Sequence, residues 1–115
     1  MHEIKTLGWT ISEWQTAYSK NEIQLDTLKY LVGSIDPQDN AWISIATVAQ
    51  IEQQIQFLYE LTKEAESLEK QFPLYGVPFA VKDNIDVAGF VTTAACKALT
   101  TVAAEDAETV RLLKQ

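Results

Sequence analysis

The chain has 115 residues, 47% of them apolar, and a formal net charge of −7. That is enough for one small domain and too apolar for a disordered chain, while the acidic balance argues against a nucleic-acid or anionic-membrane surface, which needs clustered Lys and Arg. One cysteine, Cys96, and one histidine, His2, leave no internal disulfide and argue against a metal site or a histidine base.

No apolar run approaches the length of a bilayer span, and the opening MHEIKTLGW does not read as a signal peptide. A cytoplasmic location is expected. The first half then reads as helical. Thr10 and Glu13 have the spacing of a capping box, and Ile11, Trp14, Ala17 and Tyr18 follow on one face. Asn21 with Gln24 predicts a second cap. Its helix carries the stripe Leu28, Leu31, Val32 and Ile35 and is closed by Asp36-Pro37. Ala41 to Ile45 is a short apolar run of ambiguous type. From Val48 to about Gln71 the steps Val48, Ile51, Ile55, Leu58, Leu61, Ala65, Leu68 and Phe72 predict one long amphipathic helix. Gln50, Gln53, Gln54, Glu60, Lys63 and Glu64 fall on its solvated side.

The character changes at Phe72-Pro73, where helix formers give way to Gly, Pro and β-branched residues. Val77 to Val81 reads as a buried strand and Asp83 to Asp86 as the turn after it. Ala104 to Gln115 reads as a helix start, with acidic residues leading and Arg111 and Lys114 trailing, as the helix dipole favours. Ala107, Val110 and Leu113 supply its inward face. The expectation is an α/β chain: helices over residues 1–72, then, over 73–115, the first strand, turn and helix of a mixed-sheet domain. One or two strands cannot close such a sheet, so the sheet domain is expected to be incomplete within these residues.

The candidate for chemistry is Lys82, at the end of the apolar run Phe79-Ala80-Val81. Spacing alone leaves two readings, a solvated surface charge or a base drawn out of water. Alternation sends Lys82 and Asp83 to opposite faces, and a buried lysine without a carboxylate partner becomes a competent neutral base. Asp83, Asn84 and Asp86 are too few and wrongly spaced for a calcium loop and are better explained as turn residues. Thr92 and Thr93 fit a strand end that could also line a pocket. Cys96, with no histidine near it in sequence, reads as an inert, half-buried thiol.

The run Pro73 to Asp86, with the overlapping block GVPFAVKDNIDVAG that extends to Gly89, resembles the start of the amidase-signature family, and so do Thr92-Thr93-Ala94-Ala95-Cys96 and the segment Asp106 to Leu113. Within the family the chain is most similar to the N-terminal part of allophanate hydrolases. Other members more often carry Gly-Ser where this chain has Ala95-Cys96, and Lys97 stands where a proline is expected. The resemblance implies a Ser, cis-Ser, Lys mechanism with Lys82 as the lysine, a small amide as substrate, and neither metal nor organic cofactor. It implies allophanate as that amide, hydrolysed in the degradation of urea. It also places the two catalytic serines downstream of Gln115. Ser12, Ser19, Ser34, Ser44 and Ser67 have no Gly-Ser setting, so these 115 residues are expected to be inactive alone. Two other readings remain at this point: a segment of another amidase, such as an aminoacyl-tRNA amidotransferase subunit, or a non-catalytic helical module that self-associates through the Val48 to Phe72 stripe.

Overall fold

The structure is a computed structural model that describes residues 8–115, so His2 lies outside the described residues. The described helices are α1 (Ile11–Ser19), α2 (Thr27–Gly33), α3 (Val48–Thr62), α4 (Leu68–Gln71) and α5 (Glu108–Leu113). None is long and apolar enough to cross a membrane. The chain divides into two compact units, one made of residues up to Asp39 with Ile45–Pro78, the other of Asn40–Ser44 with Phe79–Gln115.

In the first unit, α1 begins as its capping box requires. The Thr10 Oγ1 accepts from the Glu13 N–H at 3.1 Å, and the Glu13 carboxylate accepts from the Thr10 N–H at 3.1 Å. Trp14 and Ala17 are buried and join Ile23 and Leu31 in a core against which Trp9, Tyr18, Leu28 and Val77 pack. The Trp9 ring meets Trp14 edge-on at 5.1 Å, and Tyr18 meets Tyr75 edge-on at 5.3 Å, the arrangements that aromatic quadrupoles favour. Truncating a buried tryptophan costs about 3–5 kcal/mol, whereas an exposed ion pair such as Lys63–Glu60 is worth about 0–1 kcal/mol. The aromatic cluster therefore holds this unit.

Two expectations for the helices are corrected. Asn21 does not cap α2; it sits in the left-handed region at φ 57°. The helix starts six residues later, at Thr27, whose Oγ1 accepts from the Gln24 N–H. The long amphipathic helix is interrupted. It ends at Thr62, whose hydroxyl donates back to the Leu58 carbonyl at 2.7 Å, and restarts as α4 after the extended Ser67. Hydrophobic periodicity runs across such a break because Ala65 and Leu68 continue the steps of three and four residues, although Leu68 is exposed, while the Thr62 hydroxyl bonds to the helix backbone where the helix ends. The N-terminus of α3 carries a second capping box, Thr47 with Gln50.

The loop Pro73–Gly76 is tied to α1. Gln15 donates to the Pro73 carbonyl at 2.8 Å and the Tyr18 hydroxyl to the Gly76 carbonyl at 2.6 Å. Burial raises the Tyr18 phenol well above its ordinary pKa, so the hydroxyl stays a donor. Gly76 has φ 65°, and a Cβ there would lie 2.3 Å from the Tyr18 hydroxyl oxygen.

The expected buried strand at Val77–Val81 is not formed within the described residues. Phe79 is 47% exposed, and no backbone hydrogen bond involves Phe79, Ala80 or Val81. A strand needs a neighbour for its backbone groups. The second unit contains one antiparallel bridge, Val91 with Val102. The terminal helix is present as α5, with Val110 buried, but Leu113 is 43% exposed rather than inward.

Gly76→Ala is expected to destabilise the first unit by about 2–4 kcal/mol, from the left-handed backbone together with the overpacked Tyr18 contact. Urea denaturation followed by tryptophan fluorescence reads this directly. A midpoint equal to that of the parent chain would show that the Tyr18 contact is not a constraint.

Candidate active site

Lys82 follows the unpaired stretch Phe79-Ala80-Val81 and is exposed, not drawn into an apolar interior as the strand reading required. The apolar cover that would desolvate it has to come from a sheet, and the described residues of this unit supply one bridge. Among the described residues the Lys82 ammonium has no ion pair and no side-chain hydrogen bond. Its carbonyl accepts from the Ile85 N–H at 3.1 Å, which makes it the first residue of the turn that follows.

Asp83 makes no ion pair with Lys82 among the described residues, and the structure shows what it engages. Its half-buried carboxylate accepts a short hydrogen bond from the Thr93 hydroxyl and a second from the Thr93 N–H at 3.1 Å. Its carbonyl accepts from the Ala94 N–H at 2.7 Å. The Thr93 hydroxyl in turn accepts from the Ala95 N–H. Three residues on, the Asp86 carboxylate accepts from the Thr92 hydroxyl at 2.6 Å, and its carbonyl accepts from the Ala107 N–H at 2.9 Å. The Asp106 carboxylate accepts from the Ala88 N–H at 2.8 Å and pairs with Lys114 at 3.1 Å.

These partners set the charge state of the turn. The Thr93 hydroxyl and then the Thr93 N–H hold the Asp83 carboxyl below its ordinary range. For Asp106 burial pushes the pKa up, but the Ala88 N–H and the Lys114 ammonium outweigh it and the net direction is down. The acidic turn residues are thus hydrogen-bond acceptors for loop backbone. No group of three metal-ligating side chains forms among the described residues.

Thr92 and Thr93 fasten the turn through their bonds to Asp86 and Asp83. Sequence reading missed the pairing of Asp83 with Thr93 and Asp86 with Thr92. Its signal was present: two acids three residues apart facing two adjacent hydroxyls, in the reversed order of a chain that doubles back. Ala94 and Ala95 follow with φ 48° and 64°, two consecutive non-glycine residues in the left-handed region. Cys96 is exposed, not half-buried. The serines are engaged in helix ends or exposed: Ser19 donates to the Thr16 carbonyl and Ser34 to the Leu31 carbonyl.

The model of the Amidase family matches residues 26–115. Over 113 residues the chain is 42% identical to the urea amidolyase of Saccharomyces cerevisiae, covering 95% of this chain and 6% of that protein. It matches the solved structure of Kluyveromyces lactis allophanate hydrolase with a TM-score of 0.80 and 38% identity, over 96% of this chain and 18% of that one. It is also 32% identical, over 110 residues, to a subunit of the glutamyl-tRNA(Gln) amidotransferase of Akkermansia muciniphila, covering 92% of this chain and 21% of that protein. The chain therefore spans only a small part of the length of the relatives it matches.

Two expectations follow from the turn. Asp83 and Asp106 have folded-state pKa values below their unfolded ones, so their contribution to stability is present above about pH 4, the unfolded carboxylate value, and is lost as pH falls through the depressed folded values. The urea midpoint should fall from pH 5 toward pH 3, and Asp83→Asn should flatten that fall; an unchanged slope in the variant would show that the Thr93 bonds do not depend on the charge. Ala95→Gly should stabilise the chain by about 0.5–1 kcal/mol, because an alanine in the left-handed region costs about 1–2 kcal/mol and glycine returns part of that gain through its freer unfolded state. Thermal denaturation of the two chains provides the comparison.

Proposed function

The chain belongs to the amidase family, and we propose that it forms the segment of an allophanate-hydrolysing amidase that carries the catalytic lysine, Lys82. The observation behind this reading is that sequence and backbone point the same way over nearly the whole chain: urea amidolyase in the one comparison, allophanate hydrolase in the other. The block from Gly76 to Gly89, with Lys82 at its centre, is the stretch through which the sequence resembles the family.

In this reading the Lys82 amine takes a proton, relayed through a cis-serine, from the hydroxyl of a nucleophilic serine. The serine oxygen forms a bond to the amide carbonyl carbon of a small linear amide. Collapse of the tetrahedral adduct breaks the C–N bond, and the departing nitrogen leaves as ammonia with the proton returned along the same relay. Water then hydrolyses the acyl-enzyme. Among the described residues the Lys82 amine is committed to no carboxylate, which leaves it available to such a relay. The serines of this chain do not suit the other steps. Ser19 and Ser34 are spent on carbonyls at helix ends, and Ser12 is exposed. The nucleophile and cis-serine are proposed to come from the part of such an enzyme that these residues do not span, and the segment alone is proposed to be inactive. The whole protein would work in the cytoplasm on a small amide, with no nucleic-acid or membrane partner.

The test replaces the matching segment of Kluyveromyces lactis allophanate hydrolase by this chain. The chimera is expected to release ammonia from allophanate. Lys82→Met in that chimera should lower kcat by about 10²–10⁴-fold, the usual worth of a general base, and the pure 115-residue chain should release none. Turnover within tenfold of the parent chimera after Lys82→Met would sink the assignment.

A further inference from the structure

Lys82 is held from one side only. On its N-terminal side, Phe79, Ala80 and Val81 make no backbone hydrogen bond among the described residues, and Phe79 and Ala80 are exposed. On its C-terminal side, the next residue is the most heavily restrained of the turn. Asp83 accepts two hydrogen bonds from Thr93 through its carboxylate and one from Ala94 through its carbonyl. The turn then closes by the Ile85 N–H returning to the Lys82 carbonyl. Consecutive Cα atoms are about 3.8 Å apart, so fixing Asp83 fixes the origin of the Lys82 side chain.

Asp86 is also bonded, to Thr92, but it lies four residues from Lys82 and its carbonyl is committed to Ala107. Its pairing steadies the base of the turn; the Asp83 pairing acts at the lysine itself. A neutral partner would do this less well, because a charged acceptor makes hydrogen bonds roughly twice as strong as a neutral one.

We propose that Asp83 and Thr93 form a clamp that positions Lys82 for proton transfer, Thr93 supplying both donors and Asp83 the charged acceptor. Both are positioning residues, acting through Lys82 and touching no reacting atom. The proposal rests on the reading of Lys82 as the base. Misplacement of a reacting group by about 1 Å costs on the order of 10²-fold in rate, so loss of the clamp should appear in kcat and leave KM nearly unmoved.

The test has two arms. In the 115-residue chain, ¹⁵N relaxation should give rigid order parameters, about 0.85, at Lys82 and Asp83. In Thr93→Val, which keeps the shape and removes the hydroxyl, they should fall below about 0.6, and Thr93→Ser should restore them. In the allophanate hydrolase chimera, Thr93→Val and Asp83→Ala should lower kcat about 10- to 100-fold at unchanged KM, with Thr93→Ser within about threefold of the parent. Unchanged order at Lys82 in Thr93→Val overturns the clamp. So does unchanged kcat in Thr93→Val and Asp83→Ala while Lys82→Met is inactive. If Lys82→Met itself keeps its turnover, the functional reading has failed instead, and the relaxation arm still decides whether the clamp orders Lys82.

Discussion

Backbone that forms no ladder must satisfy its N–H and C=O groups in another way, and in the second unit that need falls on aspartates. Asp83, Asp86 and Asp106 each accept from backbone or hydroxyl donors elsewhere in the unit, and through them the segments 83–89, 92–95 and 103–107 become one object. The left-handed Ala94 and Ala95 depend on this arrangement. Their N–H groups are turned toward the Asp83 carbonyl and the Thr93 hydroxyl, and those bonds offset a conformation that alanine otherwise avoids.

The first unit is held by a different force. Its core is aromatic and apolar, and hydrogen bonds enter where the chain leaves the helices. Tyr18 belongs to both systems. Its ring packs against Trp14 and Tyr75 while its hydroxyl reaches the Gly76 carbonyl. Gly76 is glycine for two reasons at once, a positive φ and the absence of room for a Cβ beside that hydroxyl. The family resemblance of the PLYGVP run therefore has a physical content in this chain besides any catalytic one.

Much of the candidate site was legible before any coordinates. The apolar approach, the single lysine and the Asp-Asn turn stand in a row, and their order carries the family. Legibility stopped at environment. The apolar run before Lys82 implied a strand covered on both faces, and cover depends on neighbours that no local pattern contains. The exposure of Lys82 and of Cys96 marks the same limit: solvent access is set by what packs on top of a residue, which its neighbours in sequence do not state.

What the sequence determined by itself was local and periodic. The capping box at Thr10, the core face of α1 and the dipole-matched α5 follow from spacings of three and four residues, because a helix brings those positions together within its own chain. It also determined the family, since an ordered block of residues is a property of the chain and not of its folding. The tertiary structure decided the rest. It broke the long amphipathic pattern at Thr62, set the left-handed pair after Thr93, and chose Thr93 and Thr92 as the partners of Asp83 and Asp86. Those choices join residues six to ten positions apart that no helical or strand period relates, so only the folded path of the chain brings them together.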